Sequence, residues 1–277
     1  MNRLPREERI AVVKLLVEGV SINSMVRLTG VSKVSILKLI LDLGRVCVNH
    51  DDAKLRKLYC EHIECDEMHA ICYCRDKNLH KAKAPPDFAG DVWTWIAIDR
   101  RSKAILSWQI GHRDAVHAKA LMNDLASRVV GQVEISTDSL ASYPDAVFGA
   151  FGNRAHYGQI GKTVQIVRDE DGRKTEKIST FKRSVFGSPR LERTGTSRIE
   201  RMNLTLRMSQ RRWTRKTNAH SKSMDHMQAS FALYSTFYNW VRPHATLKGK
   251  TPAMKLGIAN RRWTMEDLAF LLEEHES

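Results

Sequence analysis

Over residues 8–43 apolar side chains recur at helical spacing in three runs, broken at Gly19-Val20-Ser21 and at Thr29-Gly30-Val31-Ser32. Ile10, Val13 and Val17 mark a stripe on the first helix. Ser21 and Ser32 stand where N-caps of the second and third belong, since a hydroxyl there accepts from an otherwise unpaired backbone N–H. On the third helix Val34, Leu37 and Leu41 are expected to face inward, leaving Ser32, Lys33, Ser35 and Lys38 outward. Short helices joined by a tight turn, the last with a polar and basic outer face, predict a helix-turn-helix DNA reader over residues 1–44, with Lys33, Ser35 and Lys38 as its contacts. A trihelical packing module with no ligand has the same pattern. The polar, mixed-charge residues 45–61 read as a helical connector.

From Ile63 the period becomes that of strands. Residues 63–73 read as a buried strand, residues 77–90 as a basic, Pro-containing loop, and residues 92–99 and 103–110 as a hairpin. Asp114 is placed to cap a helix running to about residue 130, followed by a strand at 133–137 and a helix over 139–151. Residues 158–196, rich in Lys, Arg, Gly and Ser, are expected to form a partly irregular basic insertion, either solvated or in contact with DNA. A long helix then begins at Ser197, with Ile199, Met202 and Leu206 on one stripe and Glu200, Asn203 and Arg207 on the next. Met224, Met227, Phe231, Tyr234 and Tyr238 form a core stripe on a second helix over 222–241, and the tail, 246–277, ends in an acidic amphipathic helix. Three strands, a helix and a fourth strand are the opening of an RNase H-like sheet, although periodicity alone specifies only α/β.

Charge narrows the partner. Among 277 residues, 45 Lys and Arg face 31 Asp and Glu, a net charge of +14. Counterion release from phosphates rewards such a balance, so nucleic acid is the first candidate. An anionic membrane would also suit the charge, but the basic residues are spread over several segments. The start has no apolar signal-like run and no segment approaches bilayer-spanning length, so a soluble, non-exported protein is expected. Five cysteines, an odd number crowded between Cys47 and Cys74, suggest a reducing compartment. A zinc set drawn from Cys60, Cys65, Cys72, Cys74, His62 and His69 is conceivable, but there is no Cys-x-x-Cys pair and the ligands would interrupt a strand.

An ionised carboxylate in mid-strand is costly unless it has a partner, a metal or an exposed strand end, and Asp66 lies in the middle of the first strand. Asp138 ends the fourth strand, and Glu200 lies in the first turn of the helix after Ser197. Two strand-borne Asp and one helix-borne Glu suit an oxygen-ligated two-metal site for phosphoryl transfer on nucleic acid. Among rival acids, Glu67 adjoins Asp66 but should point to the opposite face, Asp99 reads as a turn former, and Glu134 and Asp145 have no motif around them.

The segments Cys65-Asp66-Glu67, Trp93 to Asp99, Ser136-Thr137-Asp138-Ser139-Leu140-Ala141-Ser142-Tyr143 and above all Arg198-Ile199-Glu200-Arg201-Met202-Asn203-Leu204-Thr205-Leu206-Arg207 resemble the transposases of the insertion-sequence-one family. That resemblance implies a bacterial, cytoplasmic, nucleoid-associated enzyme of the DDE type with an RNase H-like, integrase-like core over residues 62–245. It implies catalytic and metal-holding roles for Asp66, Asp138 and Glu200, two Mg²⁺ ions that Mn²⁺ can replace, and double-stranded DNA, both element ends and target, as the partner of a homo-multimer. Arg198, Arg201, Arg207, Arg211 and Lys216 are the candidate DNA contacts around the third acid. Two departures stand out: Ser139 follows the second Asp where many relatives have Gly, and no zinc-finger cysteines precede the helix-turn-helix. The competing readings are a non-catalytic DNA-binding regulator or inactive relic, and a nuclease or integrase on the same fold.

Overall fold

The computed structural model describes residues 4–168, 174–214 and 217–274. Helices α1 (Arg6–Val17), α2 (Ile22–Thr29) and α3 (Lys33–Lys54) open the chain. Ser21 and Ser32 cap α2 and α3, accepting from the N–H groups of Ser24 and Ser35 at 3.1 Å. Helix α3 runs unbroken as far as Lys54, into the segment 45–61 read as a helical connector, and its inward face is not the expected one. Val34 is 77% exposed, whereas Ile36, Leu39, Ile40, Leu43 and Cys47 are buried. Apolar residues lie on several faces of α3, and the helices it meets select one of them.

Strands β1 (His62–Cys72), β2 (Gly90–Asp99) and β3 (Ile105–Gly111) form an antiparallel meander. Helix α4 (Ala115–Arg128), capped by Asp114, leads to β4 (Val133–Thr137), and α5 (Tyr143–Phe151) leads to β5 (Ala155–Arg168). The expected basic insertion is largely strand: β5 lies parallel to β4 and turns back as β6 (Lys174–Phe186) in a long antiparallel ribbon. Ile160, Val164 and Ile166 recur at even strand spacing, interrupted by Lys162, and the basic composition masks the period because most of the ribbon is solvent-exposed.

The sheet order is β3-β2-β1-β4-β5-β6, with β1, β4 and β5 parallel. This is a mixed α/β fold with an RNase H-like sheet flanked by helices and three helices before it. One face packs on α4 and α5 through Ile63, Cys65, Trp95, Leu121, Leu125 and Val147. The other carries Met68, Cys72 and Ile96 against α6 (Ser197–Ser209) and α7 (Met224–Thr236), which supply Ile199, Met202, Leu206 and Phe231.

Behind α7, a third core joins α1 and α3 to the C-terminal helices α8 (Pro252–Leu256) and α9 (Met265–Glu274) through Val13, Ile40, Leu43, Leu233, Ala253 and Leu268. A Cβ on Gly44 would lie 2.4 Å from Ala229, so the close crossing of α3 over α7 requires the glycine. The acidic tail helix covers the N-terminal helices, with Arg9 and Lys14 paired to Glu273 and Glu266 at 3.0 and 3.3 Å. Among the described residues no helix is long and apolar enough to cross a membrane. The five cysteines are free thiols and the buried ones are divided among the three cores.

Candidate active site

The site arises where two parallel strands stop pairing. β1 and β4 are in register from His62 opposite Glu134 to Glu64 opposite Ser136, and there the ladder ends. Continuing the register by two residues sets Asp66 opposite Asp138, at a break in the sheet. Odd-numbered Ile63 and Cys65 point to α4 and α5, so Glu64 and Asp66 face α6 and Glu67 faces α5.

Asp66, Glu67 and Asp138 each bring a carboxylate oxygen within 4.8 Å of the others. The expectation that alternation keeps Glu67 away from a site shared with Asp66 is corrected here. The two side chains do leave opposite faces, but with no β4 partner beside them both reach round the open edge to Asp138.

Each acid is held differently. Asp66 accepts from Asn203 Nδ2 on α6 at 2.8 Å. Burial, then the charges of Glu67 and Asp138, push its carboxyl up to about 7. Glu67 is raised as well, by burial and Asp138, and is held by the buried Tyr143 hydroxyl at 3.0 Å and Arg113 Nη2 at 2.7 Å. Asp138 accepts from the Leu140 N–H at 3.0 Å, which fixes the turn leaving β4, and Arg113 Nη2 lies 3.8 Å from it. Like charges this close destabilise their shared ionised form, so the group favours protons or a cation.

Glu200 is exposed on α6 one turn before Asn203 and lies outside the 4.8 Å group; its carboxylate accepts from Thr196 Oγ1 at 3.0 Å. It still adds to the field that raises Asp66. Helix α6 itself is anchored by buried Glu64, whose Oε2 accepts from the N–H groups of Arg198 and Ile199 at 2.8 and 3.1 Å. Glu64 thus takes up two donors of the helix N-terminus from the strand position two before Asp66.

Sequence reasoning missed Glu67, Arg113, Tyr143 and Asn203 as parts of this site. Only Asn203 carried a signal, its one-turn spacing from Glu200. Of the candidate DNA contacts, Arg198, Arg201 and Arg211 are exposed and Arg207 is half-buried on or just after α6. Lys33 and Lys38 are exposed at the start of α3, while Ser35 is half-buried and its hydroxyl lies 2.9 Å from that of Ser32. Lys216 lies outside the described residues.

The donor set suits a hard divalent cation: the ligands are carboxylate oxygens, they converge, and their mutual repulsion is what a cation relieves. Among the described residues, no other group of His, Cys, Asp and Glu meets in this way.

No protein-family model matches the chain, and no curated protein matches it by sequence. Among solved structures, a cryo-EM structure of a piggyBac transposase synaptic complex with hairpin DNA aligns over 98% of this chain and 73% of that one, at 9% identity and a TM-score of 0.41. A likeness this loose decides neither family nor function.

Proposed function

We propose that the chain is a DDE-type transposase, similar to the insertion-sequence-one enzymes, which binds the ends of its element and carries out metal-dependent DNA cleavage and strand transfer. The observation that carries this reading is the meeting of Asp66 and Asp138 at the break between β1 and β4, beneath the helix that bears Glu200. Two Mg²⁺ ions, or Mn²⁺ in their place, would be held by Asp66, Asp138 and Glu200. When bound they supply charge neutralisation at the phosphoryl oxygens and a lowered pKa for an attacking water or 3′-hydroxyl.

The chain's own residues prepare that chemistry. Asn203 fixes the orientation of the Asp66 carboxylate, and Tyr143 and Arg113 hold Glu67 against the opposite side of the cluster. Glu200, exposed and now bonded to Thr196, would turn toward Asp66 to complete the ligand set when substrate is present. Cleavage and joining are both in-line displacements at phosphorus, so one site serves both without a covalent enzyme intermediate. Arg198, Arg201, Arg207 and Arg211, with Lys33 and Lys38 on α3, would hold phosphates of double-stranded end and target DNA in a homo-multimer, and Lys216 is assigned the same role.

The test is a strand-transfer assay with duplexes carrying the ends that flank the gene, in Mg²⁺ or Mn²⁺, beside Asp66→Asn. Metal-dependent joined products that vanish in the variant are expected. End binding with neither cutting nor joining in any metal would replace this reading with that of a DNA-binding regulator, and cut but unjoined products would indicate a nuclease.

A further inference from the structure

At the start of α6, by the N-terminal end of β1, lies a cleft of about 500 Å³ lined by Glu61, His62, Arg100, Arg101, Lys103, Arg193 and Arg198, with Thr246 and Leu247. Five cationic side chains meet there with one carboxylate at the rim. Burial pushes the His62 imidazole down to about 4, so it adds no charge at neutral pH. A concentration of like charge of this kind is unfavourable without an anion.

The anions within the protein are already engaged. Glu61 is taken by Arg193 at 2.6 Å and by Arg190 at 2.7 Å. Buried Glu64, behind the cleft, accepts the two N–H groups that open α6 and has Arg100 Nε 3.6 Å from its other oxygen. Among the described residues no carboxylate lies within ion-pair distance of Arg101, Lys103 or Arg198, although Arg198 adds to the positive field at Glu64. Lys103 Nζ instead reaches the Thr246 hydroxyl, and its pKa is lowered by burial and by Arg198 and Arg201.

The cations stand on a fixed frame. Asp99 Oδ2 accepts from the N–H and the hydroxyl of Ser102 at 2.6 Å, and the Arg100 N–H donates to the His62 carbonyl at 2.9 Å. The turn joining β2 to β3 therefore presents Arg100, Arg101 and Lys103 from a tied backbone.

We propose that this cleft is a phosphate subsite, in which Arg101, Lys103 and Arg198 hold one backbone phosphate of the DNA strand whose reacting phosphate sits at Asp66. His62 of the cleft wall and Asp66 share one face of β1 and are four residues apart, about 13 Å at the usual strand rise. A strand seated at the carboxylates and running toward the start of α6 passes the cleft mouth, where exposed Arg101 and Arg198 stand. The subsite rests on the functional reading above and adds to it the direction in which the strand lies. Bound phosphate would supply the anion that Arg101, Lys103 and Arg198 lack.

The test uses the full chain and Arg101→Ala/Lys103→Ala, with Lys103→Arg as the conservative control. Inorganic phosphate is titrated first, read by melting temperature and by calorimetry in a low-salt, phosphate-free buffer. Saturable stabilisation of the parent and of Lys103→Arg, lost in the double variant, is expected; equal, non-saturating effects on all three would overturn the site. Duplex binding is then followed against salt. The double variant should weaken binding without changing sequence preference and should flatten the plot of log K against log salt by about one unit of slope. Phosphate binding with an unchanged slope would overturn the assignment to DNA. Saturable phosphate binding by a parent that binds no duplex would refute the transposase reading while leaving a free-anion site standing, so the two failures are distinguishable.

Discussion

At the residue scale the cluster is governed by Asp66. A carboxyl whose folded value is raised from about 3.8 to about 7 contributes stability that is complete at low pH and lost as pH rises through about 7. In metal-free protein, the melting temperature of Asp66→Asn relative to the parent should therefore climb between pH 5 and pH 8. A difference that stays constant over that range would mean that neither burial nor the neighbouring acids raise the Asp66 carboxyl. The third ligand can be settled by comparing two neutral variants in the joining assay. Glu200→Gln should lose activity by roughly a hundredfold or more. Glu67→Gln, already held by Arg113 and Tyr143, should lose about tenfold, as for a residue that supports ligands without being one. The reverse order would assign the third ligand to Glu67.

At the scale of elements, α6 joins stability to the site. Ile199, Met202 and Leu206 bury one stripe of it against the sheet, and the adjoining stripe carries Asn203, whose amide reaches Asp66, and exposed Glu200. Leu206 is fully buried, so Leu206→Ala should cost roughly 2–5 kcal/mol by urea unfolding. It should also reduce joining more than end binding, because the helix that carries Glu200 and Asn203 loses its seat. The β5–β6 ribbon behaves differently. Its distal part leaves Val164, Ile166 and Ile178 exposed, so no packing against the body rewards its hydrophobic alternation. That is why a basic, Gly-containing stretch reads as a loop in sequence and yet pairs across twelve register positions from Tyr157 to Arg168.

Across the whole molecule, the N-terminal helices and the sheet are joined through α7 and the turn after it. Asp51, buried near the end of α3, accepts from Trp240 Nε1 at 2.9 Å and Thr236 Oγ1 at 3.1 Å, while its carbonyl accepts from Arg128 of α4 at 3.3 Å. Gln210, just after α6, donates to the Val17 carbonyl at the end of α1 at 2.7 Å. Asp51→Ala would leave the Trp240 indole N–H buried and unpaired, and should cost roughly 2–3 kcal/mol. Denaturation followed at the helices and at the sheet should remain a single transition. Separate transitions would mean that the trihelical unit is stable without α7.

Local chemistry along the chain determined the three opening helices with their serine caps, the meander from β1 to β3, the Asp114 cap of α4 and the buried stripe of α6. Each depends on neighbours within a turn or on one strand's alternation, which sequence spacing records. Tertiary structure decided which acids meet. The β1–β4 ladder ends at Glu64 and Ser136, and that gap brings Asp66, Glu67 and Asp138 together from two faces of the sheet. It also decided which face of α3 turns inward, since α7 and α9 select Ile36, Ile40 and Leu43 over Val34. Arg113, Tyr143 and Asn203 reach the site from three separate elements. Their roles depend on distances across the fold; the one-turn spacing from Glu200 sets Asn203 on the same stripe of α6 but does not encode its approach to Asp66.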